Sequence, residues 1–306
     1  MYKKILVPLD GSELAEMALA HVTELVGRVG LEAILLYVCP TEERSSTAVN
    51  RAYVEHAAEA FRKRWEEAQQ KAGIPAGDKT ITVRGELAVS SPAEGILRYA
   101  DENNIDLIVM ATHGRSGIKR WAMGSVADKV LRASKVPVWL VRAGVSQEAI
   151  SDKLPRRTMV VPLDGSKRAE SVLPHVEALA KQRGTETVDI ILLAVCEPTV
   201  LPSFYPDVAP IDLEADLAIC QQTNKAYLAG VERRLRDSRL TVQSKTLTGR
   251  PADMIIDFAK ANPSVLIVMA THGRSGVSRW VFGSVADKVL SGASNPIFLV
   301  RSQEDD

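Results

Sequence analysis

Two stretches of this chain combine residue types that suit the binding of an anion. Met110 to Gly117 reads M-A-T-H-G-R-S-G, and the same eight letters return at Met269 to Gly276. Each follows an apolar run that suits a buried strand. Each is followed, nine residues after its first glycine, by a Gly-Ser pair, Gly124-Ser125 or Gly283-Ser284. A Gly-Ser pair ahead of a helical pattern reads as a helix opening, where glycine lets a ligand come close to the backbone. The first turn of a helix carries unpaired N–H groups and a partial positive charge, which together hold a phosphate. Arg115 and Arg120, with Arg274 and Arg279 in the second copy, add charge nearby.

A second repeated run supplies carboxylates. Val7 to Ser12 reads V-P-L-D-G-S and returns at Val161 to Ser166. Asp10 and Asp164 would lie at the carboxyl end of a first strand. There a carboxylate accepts hydrogen bonds from a ribose or helps to hold a magnesium ion that bridges phosphates. The plainer reading makes these aspartates local turn formers in Asp-Gly-Ser, and the Gly-Ser pairs simple helix caps.

The machinery of fast phosphoryl transfer is missing from the sequence. There is no G-x4-G-K-[ST] loop, and no S-G-G-x-D-S run follows the first strand. His113 and His272 have no acid or nucleophile at a readable spacing, so they read as loop histidines with a structural hydrogen bond. Trp121 and Trp280 read as packing of the loop onto the sheet. Cys39 and Cys196 read as small buried hydrophobes at matching positions.

The elements that must position these residues form a duplication. Met110 to Arg142 returns as Met269 to Arg301 with roughly two thirds of the positions identical, at a period of about 155 residues. That period is right for a whole domain. The expected units are 1–145 and 157–306, joined by a polar linker over 146–156. In the first half, strands are expected at 4–9, 33–38, 80–84, 106–111 and 138–142, and helices at 12–26, 49–72, 91–103 and 124–133. In the second, strands are expected at 158–163, 188–195, 240–247, 265–270 and 297–301, and helices at 167–183, 212–237, 251–261 and 283–291. Short apolar strands alternating with helices argue for a parallel sheet covered on both faces. Two departures from exact duplication stand out. Pro198 to Pro210 carries four prolines and reads as an extended flap, and the connection from Gly85 to Pro92 reads as the longer one in the first half.

Composition sets the outer limits. The chain of 306 residues is 46% hydrophobic and 25% charged, with 38 basic against 38 acidic residues. Such a balance gives no global pull toward nucleic acid or an anionic membrane. No apolar run approaches the roughly 20 residues of a membrane span, and the N-terminus does not read as a signal peptide. Three scattered cysteines suit neither a disulfide framework nor a zinc site. A cytoplasmic location is expected.

The spacing Gly-x2-Gly-x9-Gly-Ser after a fourth strand, with the early P-x-D-G-S, resembles the ATP-binding branch of the universal stress protein family. Here it reads Ala111-Thr112-His113-Gly114, nine residues, Gly124-Ser125, and again Ala270-Thr271-His272-Gly273, nine residues, Gly283-Ser284. The first glycine of the pattern is alanine in both copies, which requires a negative φ there. The resemblance covers both halves and implies a tandem protein. It implies two doubly wound α/β domains, each a five-stranded parallel Rossmann-like sheet with helices on both faces. It implies ATP, ADP or AMP, with magnesium, across the ends of the first and fourth strands. The residues it points to in the first half are Pro8, Asp10, Val38, Ala111, His113, Gly114, Arg115, Gly124, Ser125 and Val126. In the second half they are Pro162, Asp164, Val195, Ala270, His272, Gly273, Arg274, Gly283, Ser284 and Val285. Val38 and Val195 would meet adenine through their backbone, the aspartates ribose or metal, and the glycines and Gly-Ser-Val runs phosphate. It also implies that the last strands pair across a pseudo-twofold axis, making the chain a dimer within itself that either stands alone or pairs again as a homodimer.

Three functions are compatible with this reading. The favoured one is an ATP-binding regulatory protein with little turnover, acting on an unidentified protein partner. The others are a slow ATP-hydrolysing or adenylate-transferring enzyme, and an interaction scaffold with vestigial sites.

Overall fold

The computed structural model describes residues 1–23, 25, 30–71, 81–112, 123–142, 157–198, 213–262, 265–271 and 282–302. In the first half strands and helices alternate: β1 (Lys4–Leu9), α1 (Glu13–Thr23), β2 (Leu31–Cys39), α2 (Thr47–Lys71), β3 (Ile81–Val89), α3 (Pro92–Glu102), β4 (Leu107–Ala111), α4 (Ser125–Ala133) and β5 (Val138–Val141). The second half repeats the order with β6 (Arg157–Pro162), α5 (Lys167–Glu170), α6 (Leu173–Arg183), β7 (Val188–Cys196), α7 (Leu213–Asp237), β8 (Thr241–Thr248), α8 (Pro251–Lys260), β9 (Val265–Thr271), α9 (Ser284–Gly292) and β10 (Ile297–Arg301).

All ten strands join one sheet, in the order β3-β2-β1-β4-β5-β10-β9-β6-β7-β8. Pairing is parallel within each half, and antiparallel between β5 and β10 at the centre. Each half is thus a doubly wound sheet in the order 3-2-1-4-5. Alternate strand residues face opposite layers. Ile5, Val7 and Leu9 belong to one core, shared with α1, α2, α6 and α7; Leu6, Ile34 and Leu36 belong to the other, shared with α3, α4, α8 and α9. Among the described residues no helix is long and apolar enough to cross a membrane.

The halves meet along β5 and β10, where Trp139 stands opposite Phe298 in register. Their rings lie edge to face at 6.1 Å. Helices α1 and α6 each add a histidine to this seam. His21 lies 5.7 Å from the Trp139 ring and 3.4 Å from Arg157 Nη2 of the other half. His175 Nδ1 lies 2.6 Å from the Tyr2 hydroxyl, again across the seam. Gln182 closes it with three bonds: it accepts from the Tyr2 amide at 2.8 Å and donates to the carbonyls of Tyr2 and Leu25 at 2.7 and 2.9 Å.

Two expectations are corrected. The strand expected at 80–84 runs on to Val89, so only Ser90 and Ser91 separate β3 from α3, and no long connection exists there. Gly85 makes this possible by letting α2 lie directly on the strand. A Cβ at Gly85 would stand 2.6 Å from the Val54 carbonyl oxygen. The helix expected over 167–183 is broken at Ser171 and Val172. The Ser171 hydroxyl donates to the Arg168 carbonyl, and Pro174 in the first turn of α6 has no N–H to continue the earlier turn. The linker and the proline-rich flap fall almost wholly outside the described residues.

Two outcomes follow from this packing. Gly85→Ala is expected to lower stability by about 1–3 kcal/mol through the forced shift of α2, read from urea denaturation. The His175 pKa is lowered from 6.5 by burial, helped by the N-terminal ammonium. The unfolded chain therefore binds the proton better, so stability is full above about pH 6.5 and falls on acidification through the lowered folded value. Denaturation midpoints of the wild type are expected to fall more between about pH 7.5 and 5.5 than those of His175→Gln.

Candidate functional site

The carboxyl ends of β1 and β4 lie side by side because those strands pair, with Ile5 opposite Leu107 and Leu6 opposite Ile108. At the end of β1 the chain turns through Gly11 at φ 82°, a left-handed conformation that glycine adopts without strain. Gly165 repeats it at φ 83°. Asp10 holds the turn: its Oδ1 accepts the Ser12 amide at 3.0 Å and the Ser12 hydroxyl at 2.6 Å. Ser12 Oγ in turn accepts the Ala15 amide at 3.2 Å and caps α1. Asp164, Ser166 and Ala169 repeat the arrangement at 3.0, 2.6 and 3.1 Å. The turn-forming reading of these aspartates is therefore correct as far as one carboxylate oxygen goes. Asp10 also lines the cleft described below.

The openings of α4 and α9 are built differently. Gly124 and Gly283 are the N-caps, and neither end has a side-chain cap hydrogen bond. The Asp128 amide donates to the Gly124 carbonyl and the Asp287 amide to the Gly283 carbonyl, both at 2.9 Å, which starts the helical ladders. The amides of the preceding helical residues have no place in that ladder. Gly124 has φ −61° and Gly283 φ −57°, values any residue adopts. The backbone does not require glycine here; the missing Cβ leaves room above the helix end. Gly124 is anchored by its own amide, which donates to the Thr112 carbonyl at 2.8 Å, while the Thr112 amide donates to the Val141 carbonyl at 2.9 Å. Arg142 follows at once. It is buried, its Nε and Nη2 have no hydrogen-bond partner among the described residues, and burial lowers its pKa to about 10.

These pieces surround a cleft of about 340 Å³, within the range of small-molecule sites, about 300–1,000 Å³. Of the residues named from the sequence, Pro8, Asp10, Val38, Ala111, Gly124, Ser125 and Val126 all line it. His113, Gly114 and Arg115 lie outside the described residues, as do His272, Gly273 and Arg274. Ala111 ends β4 and Ala270 lies within β9; neither has a positive φ, so alanine is accommodated at both. The cleft lining includes apolar Leu36, Val38 and Ile96 and polar Asp10, Thr112 and Ser125.

Sequence reasoning missed part of this wall. Pro40 and Glu43 also line the cleft. They are held by the Cys39 thiol, which donates to the Glu43 carbonyl at 3.3 Å. Behind Asp10, the Tyr53 hydroxyl donates to Glu16 at 2.9 Å. Burial raises the Tyr53 pKa, reinforced by Glu16. The signal for this pair was present, since Glu16 and Tyr53 have counterparts in Glu170 and Tyr227.

In the second half Pro162 ends β6, Asp164 follows it, Val195 lies near the end of β7, and Gly283, Ser284 and Val285 open α9. β6 pairs with β9 as β1 does with β4. The two sites differ in detail. Glu170 takes Arg234 at 2.6 Å and adds to the burial that raises the Tyr227 pKa, whereas Glu16 takes Tyr53 at 2.9 Å. Cys196 is disulfide-bonded to Cys220 across 24 residues, whereas Cys39 is a buried free thiol. This corrects the expectation that Cys196 is merely a small buried hydrophobe and that no cysteines pair. Spacing along the chain does not show that α7 brings Cys220 back over the end of β7.

The description of the Universal stress protein family matches residues 1–142 and 155–301. Among similar proteins, universal stress protein Rv2005c of Mycobacterium tuberculosis is 26% identical over 224 residues, covering 73% of this chain and 70% of its own. Universal stress protein MJ0577 of Methanocaldococcus jannaschii is 33% identical over 155 residues, 46% of this chain and 96% of its own. The crystal structure of a universal stress protein from Archaeoglobus fulgidus covers 97% of this chain and 98% of its own, with a TM-score of 0.59 and 21% identity, and shares the fold. The paired halves, the repeated Asp-Gly-Ser turns and the Gly-Ser helix openings are thus one family pattern written twice, and the chain belongs to the universal stress protein family.

Proposed function

We propose that the protein is an adenine-nucleotide-binding regulator with two sites, one in each of the units 1–145 and 157–306. The bound nucleotide sets the conformation or the choice of protein partner, with little turnover. The observation that carries this reading is the uncapped openings of α4 and α9. They differ from α1 and α5, where Ser12 and Ser166 each cap one amide of the first turn, and from α3, α6 and α8, which also lack a side-chain cap bond, in lying at the end of β4 or its repeat with glycine as the N-cap. First-turn amides at a cleft, outside the helical ladder, are suited to phosphate. Buried Arg142, whose Nε and Nη2 have no hydrogen-bond partner among the described residues, supports an anionic ligand at this end of the sheet, since a buried cation without partners is costly.

The residues fit the group. Ser125 and Val126 would offer amides to the phosphates, and Gly124 the space for them, as would Gly283, Ser284 and Val285. Asp10 and Asp164 would meet the ribose or a magnesium ion bridging phosphates. The apolar wall of Leu36, Val38 and Ile96 suits a purine ring. Magnesium would neutralise phosphate charge when present.

Gly124→Trp combined with Gly283→Trp is expected to abolish ATP binding in calorimetry, with stability within about 1 kcal/mol of wild type. Each single variant is expected to leave one site. Protein denatured directly after purification is expected to release adenine nucleotide, identified by mass spectrometry. Unchanged ATP affinity in the double variant would overturn the assignment, and multiple turnovers of ADP or AMP release within minutes would make the protein an enzyme.

A further inference from the structure

Glycine inside a helix weakens it, so the glycine within α3 calls for a packing reason. Gly95 is the fourth residue of that helix, which Pro92 opens, and it is buried. A Cβ there would stand 2.6 Å from Val38 Cγ1, and 3.2 Å from both Val38 Cγ2 and Ser90 Cβ. Carbon atoms in ordinary contact lie about 3.5–4.0 Å apart. The Val38 methyl groups therefore occupy the space that any other residue at position 95 would need. Val38 lines the first-half cleft, as do Pro92 and Ile96 of α3.

The second half builds the same place the other way round. Pro251 opens α8 as Pro92 opens α3. The Met254 amide donates to the Arg250 carbonyl at 3.0 Å, as the Gly95 amide does to the Ser91 carbonyl at 2.9 Å. The Gly249 amide donates to the Cys196 carbonyl at 2.9 Å, as the Ser90 amide does to the Cys39 carbonyl at 3.0 Å. Met254 thus answers to Gly95, and Gly249 to Ser90. The methionine lies over the glycine, since a Cβ at Gly249 would stand 2.9 Å from Met254 Sδ. One half pairs serine with a helical glycine, and the other pairs glycine with a helical methionine. Only in the first half does the helix give up its side chain to make room for the valine.

We propose that Gly95 is a positioning residue for the nucleobase in the first half. The proposal rests on the reading of that cleft as a nucleotide site. A side chain at position 95 can be accommodated by turning Val38, by shifting the end of β2 or by moving α3. Val38 is β-branched and has few rotamers to turn to. The first two routes displace Val38, and the third displaces Pro92 and Ile96. Every route therefore moves a residue of the apolar lining. Ser125 and Val126, whose amides would take the phosphates, belong to α4. The penalty falls on the base and not on the phosphate tail.

The test uses the full chain carrying Gly283→Trp, which leaves the first site alone, with ATP and inorganic tripolyphosphate as probes in calorimetry. Gly95→Ala is expected to weaken ATP about tenfold, the low end of what one methylene is worth in an apolar pocket, and to leave tripolyphosphate within about twofold. Adding Val38→Ala removes the two methyl groups that the new Cβ meets, and ATP is expected to bind more tightly than in Gly95→Ala alone. A merely structural role would not spare tripolyphosphate, nor be relieved by deleting a second buried group. Ser90→Gly with Gly95→Met imports a pair with which the second half already folds, and is expected to lose ATP at least as strongly. It decides the question where Gly95→Ala does not fold. ATP affinity equal to that of the parent in either folded variant, or equal loss of ATP and tripolyphosphate, would overturn the proposal while leaving the nucleotide site standing. A parent that binds no ATP would overturn the site assignment, and the role of Gly95 with it.

Discussion

Strands β1 and β4 lie side by side although nearly a hundred residues separate them, and the cleft exists only because they do. Their ladder is short, two paired positions. It is reinforced at its lower end, where the Asp106 carboxylate accepts the amides of Lys3 and Lys4, each at 2.9 Å, and the Asp106 amide donates to the Lys4 carbonyl at 2.9 Å. From β1 the chain winds outward through β2 and β3, then crosses back and winds the other way through β4 and β5. Connections leave the two central strands toward opposite faces, so a crevice opens at their carboxyl ends. The Asp-Gly-Ser turn and the start of α4 both lie at that crevice.

The contrast between capped and uncapped helices gives the crevice its polarity. Where a serine satisfies the first turn, as in α1 and α5, the protein has met its own demand. At α4 and α9 the N-cap is glycine, with ordinary φ, and no side chain of the cap residue takes a first-turn amide. A stability argument alone favours serine, threonine or aspartate at such a position. The local loss is understandable where the same groups hold an anion.

Joining the two halves through β5 and β10 removes an exposed sheet edge from each, which lone domains would have to protect. The seam is not symmetric in its chemistry. His21 meets an arginine and His175 a tyrosine, and Trp139 on one side is matched by Phe298 on the other. The sites diverge in the same way, with Arg234 added to Glu170 in the second half, and a thiol on one side where there is a disulfide on the other. Duplication kept the backbone device and released the surrounding side chains to differ.

Much of this was legible in the order of residues, because the informative features are local and appear twice. Apolar runs mark buried strands, Pro92 and Pro251 mark helix starts, and the Asp-Gly-Ser and Gly-Ser runs bring their own turn and cap geometry. These gave the alternating strands and helices, the duplicated domain and seven residues of the first cleft. Other features depend on which distant atoms come together, and only the folded chain decided them. Gly85 is demanded by the Val54 carbonyl and not by its own neighbours. Cys220 finds Cys196 because α7 folds back over β7, and Tyr2 finds His175 because two halves share one sheet. Local propensity acts over a few residues along the chain, whereas close approach, burial and pairing across the seam are set by packing in space, which no single stretch of sequence contains.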